Sequence, residues 1–212
     1  GKWFMDYRNH DGSLAEMCGN GIRLMAKYLI ERGHQKSNIF SIETRSGSKY
    51  LSVLPNGEIS VNLGKVEPLE GEIEVQVNGK TYGDGLNVDV GNPHAVVFVD
   101  SISEIGELES APKVLPANTY PDGVNVEFVE FQPNGELKMR VYERGVGETR
   151  SCGTGTCAVA LAATIKRNLK LPSKWKIHPP GGTLEVEIDA HQNAILTGPA
   201  VLIKDCELDK YL

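Results

Sequence analysis

Apolar residues recur with two different periods along this chain, and the switches between them mark its elements. After Cys18, the residues Ile22, Met25, Ala26, Leu29 and Ile30 fall at i, i+3, i+4, i+7 and i+8, the spacing of one buried helical stripe. Arg32 adds basic charge at the end of that helix, and Gly33 supplies the left-handed stop. After Cys152 the run CAVALAATI is apolar on nearly every face, which predicts a helix buried all round and wrapped by strands. Most of the remaining chain alternates with period two. WFMDYRN, FSIETRSGSKYLSV, ISVNLG, LNVDVGNPHAVVFVD, KMRVYE, KIHPPGGTLEVEI and AILTGP read as strands, several carrying Gly-containing turns.

The pattern is written twice. EMCGNG at 16–21 and RSCGTG at 150–155 each place a cysteine before Gly-x-Gly at the mouth of a predicted helix. Nine positions before Cys18, Asn9 ends a strand-like run; nine before Cys152, Glu143 ends another. Downstream, both copies continue with a strand, a Gly-containing turn, an alternating strand, a cluster of turn formers and a further strand. The sequence therefore predicts an α+β fold of two pseudosymmetric β-rich halves, each a curved, barrel-like sheet around one central helix, with a site in the cleft between them. The first half is expected over 1–67 with about 203–212, and the second over 68–202. The second copy opens near Leu86, whereas only residues 1–17 precede Cys18; equal copies would put roughly 50 residues of the first outside this chain. The N-terminal part of the first half is thus expected to be absent here, leaving open sheet edges.

Bulk chemistry narrows the function classes. The chain has 212 residues, 24% charged and 40% hydrophobic, with a formal net charge of −6 and no Lys/Arg block. That balance argues against a nucleic-acid groove or an anionic membrane surface. No apolar run approaches the roughly 18 residues of a membrane span. Four cysteines, Cys18, Cys152, Cys157 and Cys206, do not make a disulfide framework in a chain this long; they suit reduced thiols in the cytoplasm.

Helix mouths present unpaired N–H groups and partial positive charge. They stabilise a thiolate, lowering a cysteine pKa from about 8.5 toward neutrality, and they cradle a carboxylate, which glycine lets approach the backbone. Two such mouths aimed at one point would hold an α-carboxylate with one sulfur on each face of its α-carbon. One thiolate could then remove the α-proton while the opposite thiol delivers another, as in a cofactor-free racemase or epimerase. Which cysteine rests as thiolate is left open, since their local sequences are alike. Each alone reads first as a small buried hydrophobe, and it is their equivalent positions in the repeat that turn the reading to chemistry; a redox pair is a further alternative, without a C-x-x-C. Zinc is disfavoured, because Cys152 and Cys157 lie five apart and no local ligand set surrounds them. Cys157 and Cys206 read as structural.

With YRNHDGSLAEMCGNG, GNPH, GVNVEF and ERGVGETRSCGTG in order, the chain closely resembles the diaminopimelate epimerase family from about residue 3 onward. The resemblance implies interconversion of LL- and meso-diaminopimelate without metal or cofactor, on a route to lysine and peptidoglycan, by a cytoplasmic homodimer. It implies Cys18 and Cys152 as the two bases, with Gly19, Asn20, Gly153 and Thr154 giving amides to the reacting carboxylate. Glu143 and Arg144 correspond to a substrate-contacting pair, Asn9, Asn92 and Asn125 to residues reading the distal end of the substrate, and His94 and Glu143 to modulators of the thiols. A second charged end suits amide and guanidinium partners, which are directional. Taken singly, Asn92 could be a turn residue before Pro93, His94 a core histidine, Asn9 a turn cap, and Arg144 a neutraliser of Glu143 or Glu148. The family's front segment, with its Gly-Asn-Asp-Phe-like motif, has no counterpart here. Proline or hydroxyproline racemases and a truncated non-catalytic member of the fold are the competing readings.

Overall fold

The computed structural model describes residues 2–8 and 12–203. Its α-helices are α1 (Gly19–Glu31) and α2 (Gly153–Lys166). Strands β1 (Trp3–Phe4), β2 (Ile39–Thr44), β3 (Gly47–Val53) and β4 (Ile59–Lys65) accompany α1. Then come β5 (Glu67–Pro68), β6 (Ile73–Val77), β7 (Lys80–Asp89), β8 (Pro93–Phe98) and β9 (Lys113–Leu115). The series continues through β10 (Asn125–Phe131), β11 (Leu137–Glu143) and β12 (Gly147–Thr149) before α2, and β13 (Ser173–His178), β14 (Leu184–Ile188) and β15 (Asn193–Gly198) after it.

Hydrogen bonds join them in the order β1-β2-β3-β4-β15-β14-β13-β11-β10-β8-β7-β6-β9, with β5 and β12 pairing off this path onto β7 and β11. The path is open rather than closed on itself. Its centre is the antiparallel β4–β15 ladder, where Val61 faces Leu196. An antiparallel meander extends to each side, β4-β3-β2 and β15-β14-β13, and each ends on a parallel pair, β2 with β1 and β13 with β11. The offset that carries Cys18 onto Cys152 also carries the Arg8–Leu14 bridge onto the Tyr142–Glu148 pair, and Trp3 of β1 onto Leu137 of β11. The internal repeat of the sequence is therefore a repeat of register.

The copies differ in cover. Strands β5, β7, β8, β10, β13, β14 and β15 all pack on α2, and almost every residue of that helix is buried. α1 is covered by β3 and β4, with α2 meeting its start, so Leu24 and Tyr28 on its other side are exposed. Its expected stripe is narrower than the periodicity implied: Ile22, Ala26 and Leu29 are buried, whereas Met25 and Ile30 are only half-buried. A helix met by a sheet on one side has no second surface to cover the flanks of the stripe. The run WFMDYRN likewise forms a strand only at Trp3–Phe4, followed by the bridge at Arg8. Its counterpart β11 is held by β10, β12 and β13, whereas β1 pairs only β2 among the described residues.

β10 divides two cores by strand alternation. Val126 and Phe128 face a small core with Ile73, Val75, Ala95, Val97 and Ile105. Val129 faces the large core around α2, and Asn125 and Glu127 share its face. Because β8 and β10 are parallel with His94 beside Asn125, and β11 is antiparallel to β10, the starts of β8 and β10 and the end of β11 lie at one edge. That edge adjoins the start of α2.

Candidate active site

Both cysteines cap their helices. Cys18 and Cys152 have extended backbones, and each sulfur accepts the N–H three residues on, Gly21 at 3.3 Å and Gly155 at 3.4 Å. This is the N-cap geometry usually supplied by a Ser or Asp oxygen. The two mouths touch. A Cβ placed on Gly19 would lie 3.2 Å from the Gly153 Cα, and one on Gly153 only 3.0 Å from the Gly19 Cα. The first glycine of each Cys-Gly-x-Gly is thus the contact surface of the helix pair, and a side chain there would press on the opposite backbone. Across it, the Asn20 side-chain amide donates to the Ser151 carbonyl at 3.1 Å. First-turn amides of Gly19, Asn20, Gly153 and Thr154, which neither helix can pair internally, collect around this junction.

The two sulfurs are not equivalent. Cys152 is 7% exposed, whereas Cys18 is half-buried. Burial, reinforced by the Glu143 and Glu127 carboxylates, raises the Cys152 thiol well above its ordinary value against the opposing bonds from Thr154 and Gly155. The expectation that a helix mouth lowers both thiols is corrected here: at Cys152, desolvation and two nearby carboxylates outweigh the helix end. Cys157, fully buried inside α2, is pushed up to about 12 by burial. Iodoacetamide should accordingly label Cys18 first at neutral pH and reach Cys152 only as rising pH increases its thiolate fraction, since the thiolate is the nucleophile. Cys157 should stay unmodified until the chain unfolds, as read by peptide mass mapping across pH.

His94, Glu127 and Asn92 form a second cluster behind Cys152. His94 and Glu127 are both wholly buried, with Nδ1 2.7 Å from Glu127 Oε1, and His94 Nε2 is 3.1 Å from Asn92 Oδ1. Since Asn92 Oδ1 can only accept, Nε2 carries a proton and one further proton lies between Nδ1 and the carboxylate. Burial holds the Glu127 carboxyl above the usual range, partly offset by His94. Asn125 is buried and joins the start of β8 to the turn after β11: its Nδ2 donates to the Pro93 carbonyl at 3.3 Å, and its Oδ1 accepts the Arg144 N–H at 2.9 Å. Glu143 accepts from the Thr149 hydroxyl. Arg144 neutralises neither Glu143 nor Glu148. Its guanidinium donates to the Asp122 and Gly123 carbonyls, while Arg140 holds Glu148 at 2.6 Å. Cys18, Gly19, Asn20, Asn92, His94, Asn125, Glu143, Arg144, Cys152, Gly153 and Thr154 therefore converge around the helix junction and the adjoining sheet edge; Asn9 and Cys206 lie outside the described residues. Among those described, no three His, Cys, Asp or Glu side chains cluster so as to hold a metal ion.

Comparison with known families decides the lineage. The family model described as diaminopimelate epimerase matches residues 1–69 and 86–203, nearly the whole chain. The chain belongs to the diaminopimelate epimerase family. The diaminopimelate epimerase of Streptomyces coelicolor is 45% identical over 98% of this chain and 73% of its own length. That of Corynebacterium glutamicum is 42% identical over 95% and 73%. Among solved structures, a probable proline racemase from Agrobacterium radiobacter with bound carbonate superposes with a TM-score of 0.68 at 17% identity, covering 96% of this chain and 71% of that one. A phenazine biosynthesis protein of the PhzF family from Bacillus anthracis gives 0.64 at 15%, covering 91% and 76%. These two likenesses carry the fold alone. The stretch between the matched segments holds β6 and the start of β7, which pack the small core away from the junction.

Sequence reading missed several polar residues that this member of the diaminopimelate epimerase family gathers around the junction. Tyr7 hydrogen-bonds the Cys18 sulfur and is pushed up to about 12, first by the charge of Cys18, then by burial, with Glu143 and Cys152 contributing. Its place in an apparent strand gave no sign of this. Arg45, from the β2–β3 turn, donates to the carbonyls of Tyr7 (3.0 Å) and Ala15 (3.3 Å) and pairs with Asp6, pinning the segment that leads into α1. Glu127 could have been suspected, because a carboxylate on the inward face of a strand demands a partner. Arg23 is 5% exposed inside α1; an arginine next to Ile22 on the apolar stripe was the available signal.

Proposed function

We propose that the chain is a cofactor-independent diaminopimelate epimerase, interconverting the LL and meso isomers by α-proton transfer between two sulfurs. The observation that carries the reading is the contact of two Cys-capped helix mouths at Gly19 and Gly153. In this reading the α-carboxylate sits on the amides of Gly19, Asn20, Gly153 and Thr154. Charge that develops on the carbanion is met by fixed dipoles needing no rearrangement, and one such donor is worth about 10²–10³ in rate. Cys152, held protonated by burial and its carboxylate neighbours, is the resting acid. Cys18, with Tyr7 donating to its sulfur, is the resting base. The Cys18 thiolate takes the α-proton, the C–H bonding pair stays on carbon, and that carbon takes the Cys152 proton on its opposite face. The sulfurs end with their protonation exchanged, ready for the reverse isomer.

Recognition of the distal amino-acid end is assigned to Asn92, Asn125 and Arg144, with Asn9 outside the described residues, and Glu143 is assigned with Arg144 to substrate contact. Because Asn92 and Asn125 each already bond a neighbouring loop or ring, they also fix the shape of that pocket. His94 and Glu143 modulate the thiols. The two units are read as 1–67 with about 203–212 and 68–202, of which 204–212 lie outside the described residues; β5 pairs β7, so its Glu67 already lies against the second unit. A cytoplasmic homodimer making a lysine and peptidoglycan precursor completes the reading; no helix among the described residues is long and apolar enough to cross a membrane. Incubation with LL-diaminopimelate in D₂O should give deuterium at one α-carbon and build up the meso isomer. Exchange of proline instead, or of no amino acid, would overturn the assignment.

A further inference from the structure

Arg23 is the buried charge that the reaction scheme leaves unused. Side chains on a helix point back toward its N-terminus, and Arg23 does so from the second turn of α1. Its Nη1 donates to the Gly19 carbonyl at 3.0 Å and its Nη2 to Asn20 Oδ1 at 3.0 Å. Asn20 in turn donates to Ser151 at 3.1 Å, so an unbroken chain of bonds runs from Arg23 across the junction to the residue before Cys152. Arg23 Nε is buried with no hydrogen-bond partner, and no carboxylate pairs with the guanidinium among the described residues. The backbone at Gly198 closes over it, with both Nε and Nη2 3.7 Å from where a Cβ on that glycine would stand.

A guanidinium taken out of water without a carboxylate is costly unless other negative charge answers it. The neighbouring helix ends add positive potential rather than cancel it. The groups here that can answer it are sulfurs: Cys18 and Cys157 are the groups whose charge supports the Arg23 cation. Cys157 is fully buried and pushed up to about 12, whereas Cys18 is half-buried and directly precedes Gly19, whose carbonyl Arg23 holds.

We propose that Arg23 is a positioning residue of the epimerase reaction, clamping the two helix mouths through Asn20 and placing a fixed positive charge behind the Cys18 sulfur. The inference rests on the two-thiol reading above. Facing Cys18 besides Arg23 are Tyr7 from the preceding segment and, on the second half, Cys152 and Glu143, both of which act on Tyr7. Of these groups only Arg23 is cationic, so removing it leaves the thiolate with dipoles alone.

The test compares the intact chain with Arg23→Met and Arg23→Lys. Carbamidomethylation of Cys18 by iodoacetamide, followed by peptide mass across pH, needs no substrate and reports the sulfur directly. Arg23→Met should slow Cys18 labelling at neutral pH about tenfold or more and shift its pH profile upward. Arg23→Lys should restore most of that rate while leaving KM for LL-diaminopimelate raised, because one ammonium cannot span Gly19 and Asn20. A folded Arg23→Met protein with an unchanged Cys18 profile would overturn the proposal. Should Arg23→Met not fold, Arg23→Lys decides: wild-type KM and kcat with the lysine would equally overturn it. Failure of the wild-type chain to epimerise diaminopimelate counts against the two-thiol reading instead, and leaves the labelling result to judge Arg23.

Discussion

Alanine at either Cys18 or Cys152 should reduce interconversion of LL- and meso-diaminopimelate by about 10³-fold or more, with little change in melting temperature. Each sulfur is the proton carrier on one face of the α-carbon, and positioned acid–base groups of this kind contribute about 10²–10⁴ in rate. The two losses should be similar in size, since inversion needs both faces and neither thiol can serve the other's. Stability should respond far less than rate: each sulfur contributes one capping bond, to Gly21 and Gly155, loss of a cap costs about 0.5–2 kcal/mol, and buried Cys152 additionally loses its contact with Thr154. The decisive measurement is the isomer ratio over time by chiral chromatography. A variant lacking one thiol that still inverts at the wild-type rate would end the two-base scheme, however well the other thiol labels.

The second large effect is expected from Gly153→Ala. Alanine is the better helix former by about 1 kcal/mol, so an isolated α2 would gain. Here the new methyl would stand 3.0 Å from the Gly19 Cα and 3.3 Å from Leu196 Cδ2, and a backbone atom cannot swing aside. The mouths must separate. The neighbours must give by a few tenths of an ångström. Since misplacement near 1 Å costs about 10²-fold in a positioned reaction, kcat/KM should fall by up to about tenfold, with roughly 1–3 kcal/mol lost to overpacking. Gly19→Ala should behave alike, its methyl meeting Gly153 Cα and Leu196 Cδ2 at 3.2 Å each. Gly21→Ala is the control: its nearest neighbour would be Cys18 Cβ at 3.4 Å, an ordinary contact, and activity should remain within a fewfold of wild type. Equal tolerance at Gly153 and Gly21 would show that the helix mouths do not need their present approach.

Much of this arrangement is written in residue order. The repeat of Cys-Gly-x-Gly, the 3.6-residue stripe after Cys18 and the all-round apolar run after Cys152 fix where two helices begin, because a helix start needs a cap and a buried helix needs no polar face. The strand–turn–strand rhythm after each helix is local as well, and both meanders occur where alternation placed them. The duplicated order of elements makes β4 and β15 equivalent strands of the two copies, but that they pair with each other at the centre of the sheet is seen only in the structure.

What tertiary structure alone decided is charge and reach. Two cysteines with nearly identical neighbours in sequence differ because one lies under a sheet edge carrying Glu127 and Glu143, while the other meets Tyr7 near solvent. Desolvation depends on everything that packs around a group and has no local signature. For Arg23 and Glu127 the sequence offers position on an apolar face but not the partner, which arrives only when other strands close over them, and Asn125 reads as a substrate contact until β8 and the turn after β11 arrive to share its amide. Periodicity records which face of an element is buried; it does not record what lies opposite, and the chemistry of this junction is set by what lies opposite.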